Sequence, residues 1–320
     1  MFHKGLIMLT VLIKVFTIFC ILGIGLIANK TGILPTKSAP YLTNLLLMIT
    51  TPCLILSTMG SAELSARTLR LTIEVLVGCS LCFAAACAAS YFVMRLLKYH
   101  PPEDRGVLMV IMASINCGFM GFPVSKAVFG DMVFFLFIVQ NIVFNVYIYS
   151  IAYIQLNYGT GEKHDKKSLL RAFLNIPIFA TVVGCVILFA QIRLPGPVLD
   201  LFSTIGDATI PLSMIIVGVQ LGESRPGKIL KNKKLVIASL ANVTIMPFLA
   251  FLIASILPFD NLTKLTMVFS EAFPCAVTTS AITLQSRKND QLAAEGITLT
   301  TIFSLVTLPI VASLLMYLYM

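Results

Sequence analysis

The sequence predicts an all-α polytopic membrane protein of ten transmembrane helices, arranged as two inverted five-helix repeats with the fourth and ninth helices broken. Three observations predict it. Ten apolar runs, each long enough to cross a bilayer, follow one another with short polar connections. Lysine and arginine fall unequally between the two sides those runs would create. Prolines recur at matching places in the first five runs and the last five.

The composition agrees. Of the 320 residues, 58% are hydrophobic and 12% charged, where a soluble domain is roughly a quarter charged. Apolar runs of about twenty residues match a hydrocarbon core about 30 Å thick. The net charge of +9 does not imply a nucleic-acid partner, because the basic residues sit in short clusters between apolar runs, as membrane topology requires. The eight cysteines all lie in apolar segments. They are expected to be small buried hydrophobes, not a disulfide framework. Cys79 and Cys82 form a CxxC with no second pair or nearby histidine, so no metal site or cofactor is expected.

The runs, taken in order, each justify a span. The first, 6–28, follows His3 and Lys4 as a signal peptide would. It lacks a small-x-small cleavage site and runs on to Leu26, so it reads as a helix that spans. The second, 39–59, carries Pro52 in TTPCLIL, with Thr50 and Thr51 placed to take up backbone groups that the proline frees. The third, 69–94, begins near Arg67 and Arg70, and Glu74 a turn inside is expected to pair with Arg70. The fourth, 106–129, holds NCGFMGFP. The fifth, 132–158, holds Gln140, Asn141 and Asn145. The sixth and seventh are 170–190 and 197–221, the latter with Asp207 and then ATIPLSMII. The eighth is 234–257, the ninth, 263–285, holds EAFPCAVTTS, and the tenth is 292–319. The longest polar connections, 159–168 and 222–233, leave no room for a soluble catalytic or nucleotide-binding domain, and no Walker or Rossmann glycine pattern occurs. No paired aspartates, HExxH or Ser/His set supports an intramembrane enzyme.

Ten spans put both termini on one side. That side holds six lysines and arginines, and the other holds sixteen. Positive residues mark the cytoplasmic side. Both termini are therefore expected on the extracytoplasmic side of a cell membrane, with the 159–168 loop in the cytoplasm. Pro52 and Pro123 in the first half match Pro211 and Pro274 in the second, at separations of 71 and 63 residues. Five is odd, so a second copy of five spans runs inverted. Interrupted helices at equivalent places in inverted repeats point to a secondary transporter's site.

Asn116 to Pro123 is the most informative segment. Pro123 removes a backbone donor and blocks the preceding turn. Gly118 and Gly121 let the chain leave helical geometry cheaply, and Asn116 offers a donor and an acceptor. Unwound backbone at membrane depth is tolerated where it is buried in protein or lines a cavity. A helix restarting near Pro123 would turn its positive end to a bound anion. Glu271 and Pro274 repeat the arrangement. Glu271 either carries a coupled proton or cation or is a neutral acid bonded to the fourth-span break. Asp207 is a second coupling candidate, although its place near the outer end of its span favours a solvated or capping role. Asn141 and Asn145, one turn apart, either brace the broken helix or touch substrate. Thr278, Thr279 and Ser280 are placed to satisfy carbonyls freed after Pro274.

At NCGFMGFPVSKAVFG, IPLSMIIVGVQLG and EAFP, and more weakly at LLLMITTPCLIL and TIFSLVTLP, the sequence resembles the auxin efflux carrier family, in its compact bacterial form. The resemblance runs from Gly23 to Pro309 and implies a secondary carrier of a small organic anion, a mono- or dicarboxylate of malate or malonate type. It implies that spans four and nine cross at Pro123 and Pro274, with the substrate carboxylate there and Asn116 as the crossover asparagine. It further implies a scaffold of residues 1–60 and 169–222 that mediates a homodimer, and a transport domain of residues 68–158 and 232–320 that moves elevator-fashion. Glu271 departs from the pattern, since an ionised acid there would repel an anion, and leaves proton or sodium coupling open. The competing readings are a sodium-coupled carrier of bile-acid-symporter type moving a larger amphipathic anion, and a channel or sensor that does not transport.

Overall fold

The structure, a computed structural model, describes residues 2–97, 101–102, 104–158, 176–224 and 226–320. Among these residues there are helices and connecting turns and no strand. The expected cytoplasmic loop at 159–168 lies outside the described residues.

Eight helical stretches among the described residues are long and apolar enough to cross a membrane. They are α1 (Phe2–Lys30), α2 (Ala39–Ser61), α3 (Ala66–Leu97), the pair α4 (Asp104–Ala113) and α5 (Phe122–Phe129), α6 (Asp131–Leu156), α8 (Gly196–Glu223), α9 (Lys233–Ile256) and α12 (Asp290–Tyr319). The shorter apolar helix α7 (Ile176–Phe189) precedes α8. Two further helices, α10 (Asn261–Glu271) and α11 (Thr278–Gln285), lie between α9 and α12.

Proline shapes the local backbone. Leu46–Thr50 widens into a π turn just before Pro52, and Cys117–Gly121 does the same just before Pro123. In each case the proline occupies the first turn of the helix that follows, where its missing N–H costs least. The seventh run changes helix at Ala208, between Asp207 and Thr209 and just before Pro211.

Lipid offers helices no hydrophobic reason to associate, so close packing must hold them together. The α1–α8 crossing depends on two glycines. A Cβ on Gly25 would sit 2.3 Å from the Ile215 carbonyl oxygen, and one on Gly218 would sit 2.1 Å from that of Leu22. Glu74 fastens α3 to the start of α10. Arg70 Nε donates to Glu74 Oε1 at 2.7 Å, while the Asp260 amide and the Thr263 hydroxyl donate to Oε2 at 2.9 and 3.0 Å. The ion pair expected at this spacing is thus present, inside a larger clamp. The cysteines are free thiols, but only Cys79, Cys82, Cys117 and Cys275 are buried, and Cys20 is exposed. Expecting all eight buried was too broad, because an apolar segment in a membrane turns one face to lipid.

The broken stretch α4–α5 lies deepest, with 94% of its apolar window buried inside the protein against 67% or less for the other seven stretches. That burial sets the cost of breaking it, since every backbone group freed there needs a protein partner.

Candidate functional site

Two breaks in the helical path meet inside the bundle. The first comprises Ser114, Ile115 and Asn116, between α4 and the π turn. The second runs from Ala272 to Val277, between α10 and α11. They touch through the main chain, where the Asn116 amide donates to the Pro274 carbonyl at 2.7 Å. That amide would otherwise close a helical turn onto Met112. Its diversion leaves the Met112 carbonyl in need of a donor.

Asn242 of α9 supplies one. Its Nδ2 donates to the carbonyls of Met112 and Ser114 at 3.0 and 3.1 Å. The Ser114 hydroxyl shares hydrogen bonds with Thr279 Oγ1 at 2.9 Å and Cys275 Sγ at 3.1 Å, a second tie between the breaks. The Cys275 amide donates to the Thr300 hydroxyl of α12 at 3.1 Å. Asn116 caps its own π turn, its Oδ1 accepting from the Phe119 amide at 3.2 Å. The Cys117 thiol donates to Gln140 Oε1 of α6 at 2.9 Å. Behind the breaks, Phe129, Phe137, Phe269 and Phe273 pack edge to face at centroid distances of 4.9 to 5.9 Å. Freed backbone groups are therefore met by side chains from two other helices, α9 and α12.

A cavity of about 470 Å³ lies against this junction. Asn116–Phe119 and Phe122 wall it on one side and Ala276–Thr278 on another, so the restarting helices α5 and α11 both turn their N-terminal, positive ends toward it. Leu47, Met48 and Thr51 of α2, Asn141, Phe144, Asn145 and Tyr149 of α6, and Ile176 and Pro177 of α7 complete the wall. The described lining contains no lysine, arginine or histidine. A Cβ on Gly118 would meet nothing within 4 Å.

Of the residues singled out from the sequence, Asn116, Gly118, Asn141 and Asn145 reach the cavity. Pro274 contributes its carbonyl to the junction, and Gly121 packs against the Phe137 ring behind it. Pro123 sits in the first turn of α5. Glu271, at the end of α10, is buried, off the cavity wall, and within electrostatic reach of Cys79 and Cys82 of α3 and of Tyr147 of α6. Neither of its carboxylate oxygens has a hydrogen-bond partner among the described residues. Asp207 pairs with Lys126 of α5 at 3.2 Å, away from the junction. Lys126 also borders a second hollow of about 470 Å³, with Ser57, Ser61, Thr68 and Asp131, at the opposite end of α5.

The threonines divide. Thr50 returns its hydroxyl to the Leu46 carbonyl at 3.3 Å, as expected before a proline. Thr51 instead faces the cavity, its buried hydroxyl without a partner among the described residues, and so does Thr278. Asn242 and Thr300 are the residues that sequence reasoning missed. The available signal was an amide alone within the apolar run of α9, the same signal that drew attention to Asn141 and Asn145.

Comparison with known proteins bears on what this arrangement is for. The family model described as a membrane transport protein matches residues 10–312. The chain is 24% identical over 302 residues to an uncharacterized transporter of Methanocaldococcus jannaschii, and 24% identical over 297 residues to one of Methanothermobacter thermautotrophicus. Each alignment covers 92% of this chain and 95% of the relative. With apolar helices suited to a bilayer, two broken helices joined at a cavity and a family match over nearly its whole length, the chain belongs to the membrane transport protein family, the auxin efflux carrier family that its motifs resemble.

Proposed function

We propose that this transporter is a secondary carrier of a small organic anion, a mono- or dicarboxylate, held where the two helix breaks meet. The observation that carries the reading is the 2.7 Å bond from Asn116 to Pro274 beside a cavity onto which α5 and α11 both turn their N-termini. Helix N-termini favour anions, and anions with oxygen acceptors most of all. Asn116, Gly118, Asn141 and Asn145 contact the substrate. Gly121, Pro123 and Pro274 keep the backbone open. Glu271, a buried acid without a hydrogen-bond partner among the described residues, carries a coupled proton or sodium ion.

In this reading the chain has ten spans in two inverted fives, with α7 as the sixth and α10–α11 as the ninth. Residues 1–60 and 169–222 form the scaffold and homodimer contact, and residues 68–158 and 232–320 form the moving transport domain. Both termini lie outside the cell membrane. The hollows at the two ends of α5 support alternating access, since α5 is the wall between them. Lys126–Asp207 then joins transport domain to scaffold at the outer end.

The test is uptake into liposomes. Asn116→Ala and Pro123→Ala should each cut uptake at least tenfold while the purified protein stays folded, and counter-substrate on the far side should accelerate wild-type flux. Normal uptake by both variants sinks the junction as the site, and absence of acceleration points to a channel.

A further inference from the structure

A third hollow adjoins the central one. It is about 350 Å³ in volume and lies between α6 and α7, walled by Ile142, Val146, Val182, Cys185 and Phe189. Asn141 and Asn145 line both hollows, so the two adjoin at these amides. Val146, Val182 and Phe189 are about half exposed on the protein's outer surface. In a membrane protein that surface meets hydrocarbon, and the groove is a side opening from the bilayer to the junction.

The chemistry changes along its length. At the junction end stand the N-termini of α5 and α11 and the hydroxyls of Thr51 and Thr278, which have no partner among the described residues. Thr51 is only 2% exposed. These groups suit one carboxylate. No cationic side chain lines either hollow among the described residues to receive a second, and a charge left in an apolar groove goes uncompensated. Beyond the two asparagines the groove is apolar but for Thr181, whose hydroxyl donates to the Pro177 carbonyl of its own helix at 2.9 Å. Asn145 Nδ2 already donates to the Asn141 carbonyl at 2.7 Å, and the remaining amide groups of the two asparagines form the polar edge of the groove, where polar groups beside hydrocarbon need partners. Asn141 and Asn145 stand where a polar head would pass or rest.

We infer that the α6–α7 groove seats the alkyl chain of an amphipathic monocarboxylate whose head lies at the junction, and that this ligand exchanges sideways with the bilayer. The inference rests on the carrier reading above and narrows its substrate class to monoanions with an apolar tail.

The experiment uses the full-length protein in phosphatidylcholine nanodiscs, with straight-chain monocarboxylates of four to twelve carbons, the matching α,ω-diacids, and dodecanol. In the wild type, affinity should rise about three- to fourfold per methylene, the increment for burying one such group. Val182→Trp, which fills the groove, should weaken decanoate binding at least tenfold and leave butyrate within twofold. Partition into the bilayer is common to both proteins, so their difference isolates the groove. A second readout needs no variant. Cys185 lines the groove, and decanoate should slow its alkylation by maleimide at least tenfold, while exposed Cys20 on α1 reacts unchanged. Diacids should protect at least tenfold less well than the monoacids. Equal protection by dodecanol, or equal chain-length dependence in wild type and variant, overturns the inference and makes the groove a lipid seat. Butyrate binding with no gain from added carbons overturns it too, and leaves the carrier reading standing. Failure of every carboxylate to bind overturns both.

Discussion

Replacing Asn242 with leucine tests whether the first break survives because α9 satisfies it. Asn242 is fully buried, and its Nδ2 spans two carbonyls, at 3.0 Å to Met112 and 3.1 Å to Ser114. Leucine has the same branched heavy-atom skeleton, with bulkier methyl groups in place of the amide, so no cavity forms and the main loss is one of hydrogen bonding. Side-chain hydrogen bonds in membrane proteins contribute on average about 0.6 kcal/mol and at most about 1.7 kcal/mol each. The Met112 carbonyl has already lost its helical donor to Pro274, which places this site toward the upper end. Two such bonds give an expected loss of about 2–3 kcal/mol, or at 2 kcal/mol about a thirtyfold fall in the folded-to-unfolded ratio. Steric-trapping unfolding in bicelles measures that ratio directly. Amide exchange at Cys117–Phe119 should also rise, since the π turn would lose its anchored neighbour. Stability within about 0.5 kcal/mol of wild type, with unchanged exchange, would refute the view that Asn242 holds the break open.

Three further outcomes follow from the geometry. Gly218→Ala drives a methyl group to 2.1 Å from the Leu22 carbonyl, so α1 and α8 must part. We expect a loss of at least about 1–3 kcal/mol, as for other overpacked sites, seen as a lower unfolding midpoint. Gly118→Ala should leave stability within about 1 kcal/mol of wild type, because its Cβ meets nothing within 4 Å and alanine suits helical backbone better than glycine. Gly118→Phe should instead cut uptake at least tenfold by filling the cavity. Glu271→Gln should abolish the pH dependence of uptake if that acid carries the coupled proton, and an unchanged pH profile in proteoliposomes would make it structural.

The breaks were legible because proline and glycine act through the backbone. Pro52 and Pro123 each produce a wide turn just before themselves, and any chain with these residues at those places faces the same loss of a donor. Asn116 could be singled out for the same reason. The Arg70–Glu74 pair was legible because a four-residue spacing fixes the geometry within one helix. What lay hidden depends on contacts far apart in sequence. Asn242 meets carbonyls about 130 residues away, and nothing in a run of apolar residues names the partner of its one amide. Thr50 and Thr51 show the limit at close range. Adjacent helical residues point about 100° apart, so one turns back to its own helix and the other faces the cavity. Which does which depends on how α2 is rotated, and packing against the rest of the bundle decides that. Glu271 illustrates the same point, since only the rotation of α10 turns it toward α3 and off the cavity wall.

The bond between Asn116 and Pro274 joins one main-chain nitrogen to one main-chain oxygen. Proline at position 116 would remove the hydrogen on that nitrogen, and no other amino-acid replacement deletes the donor or the acceptor. The joint is therefore indifferent to residue identity, whereas the walls around it, such as Leu47, Met48, Phe144 and Val277, are made of side chains alone. Size and polarity can drift in those walls without loosening the place where the two halves of the chain are tied. On the carrier reading proposed above, a lineage built on this plan can change its cargo by exchanging side chains while the knot beside the cavity stays the same.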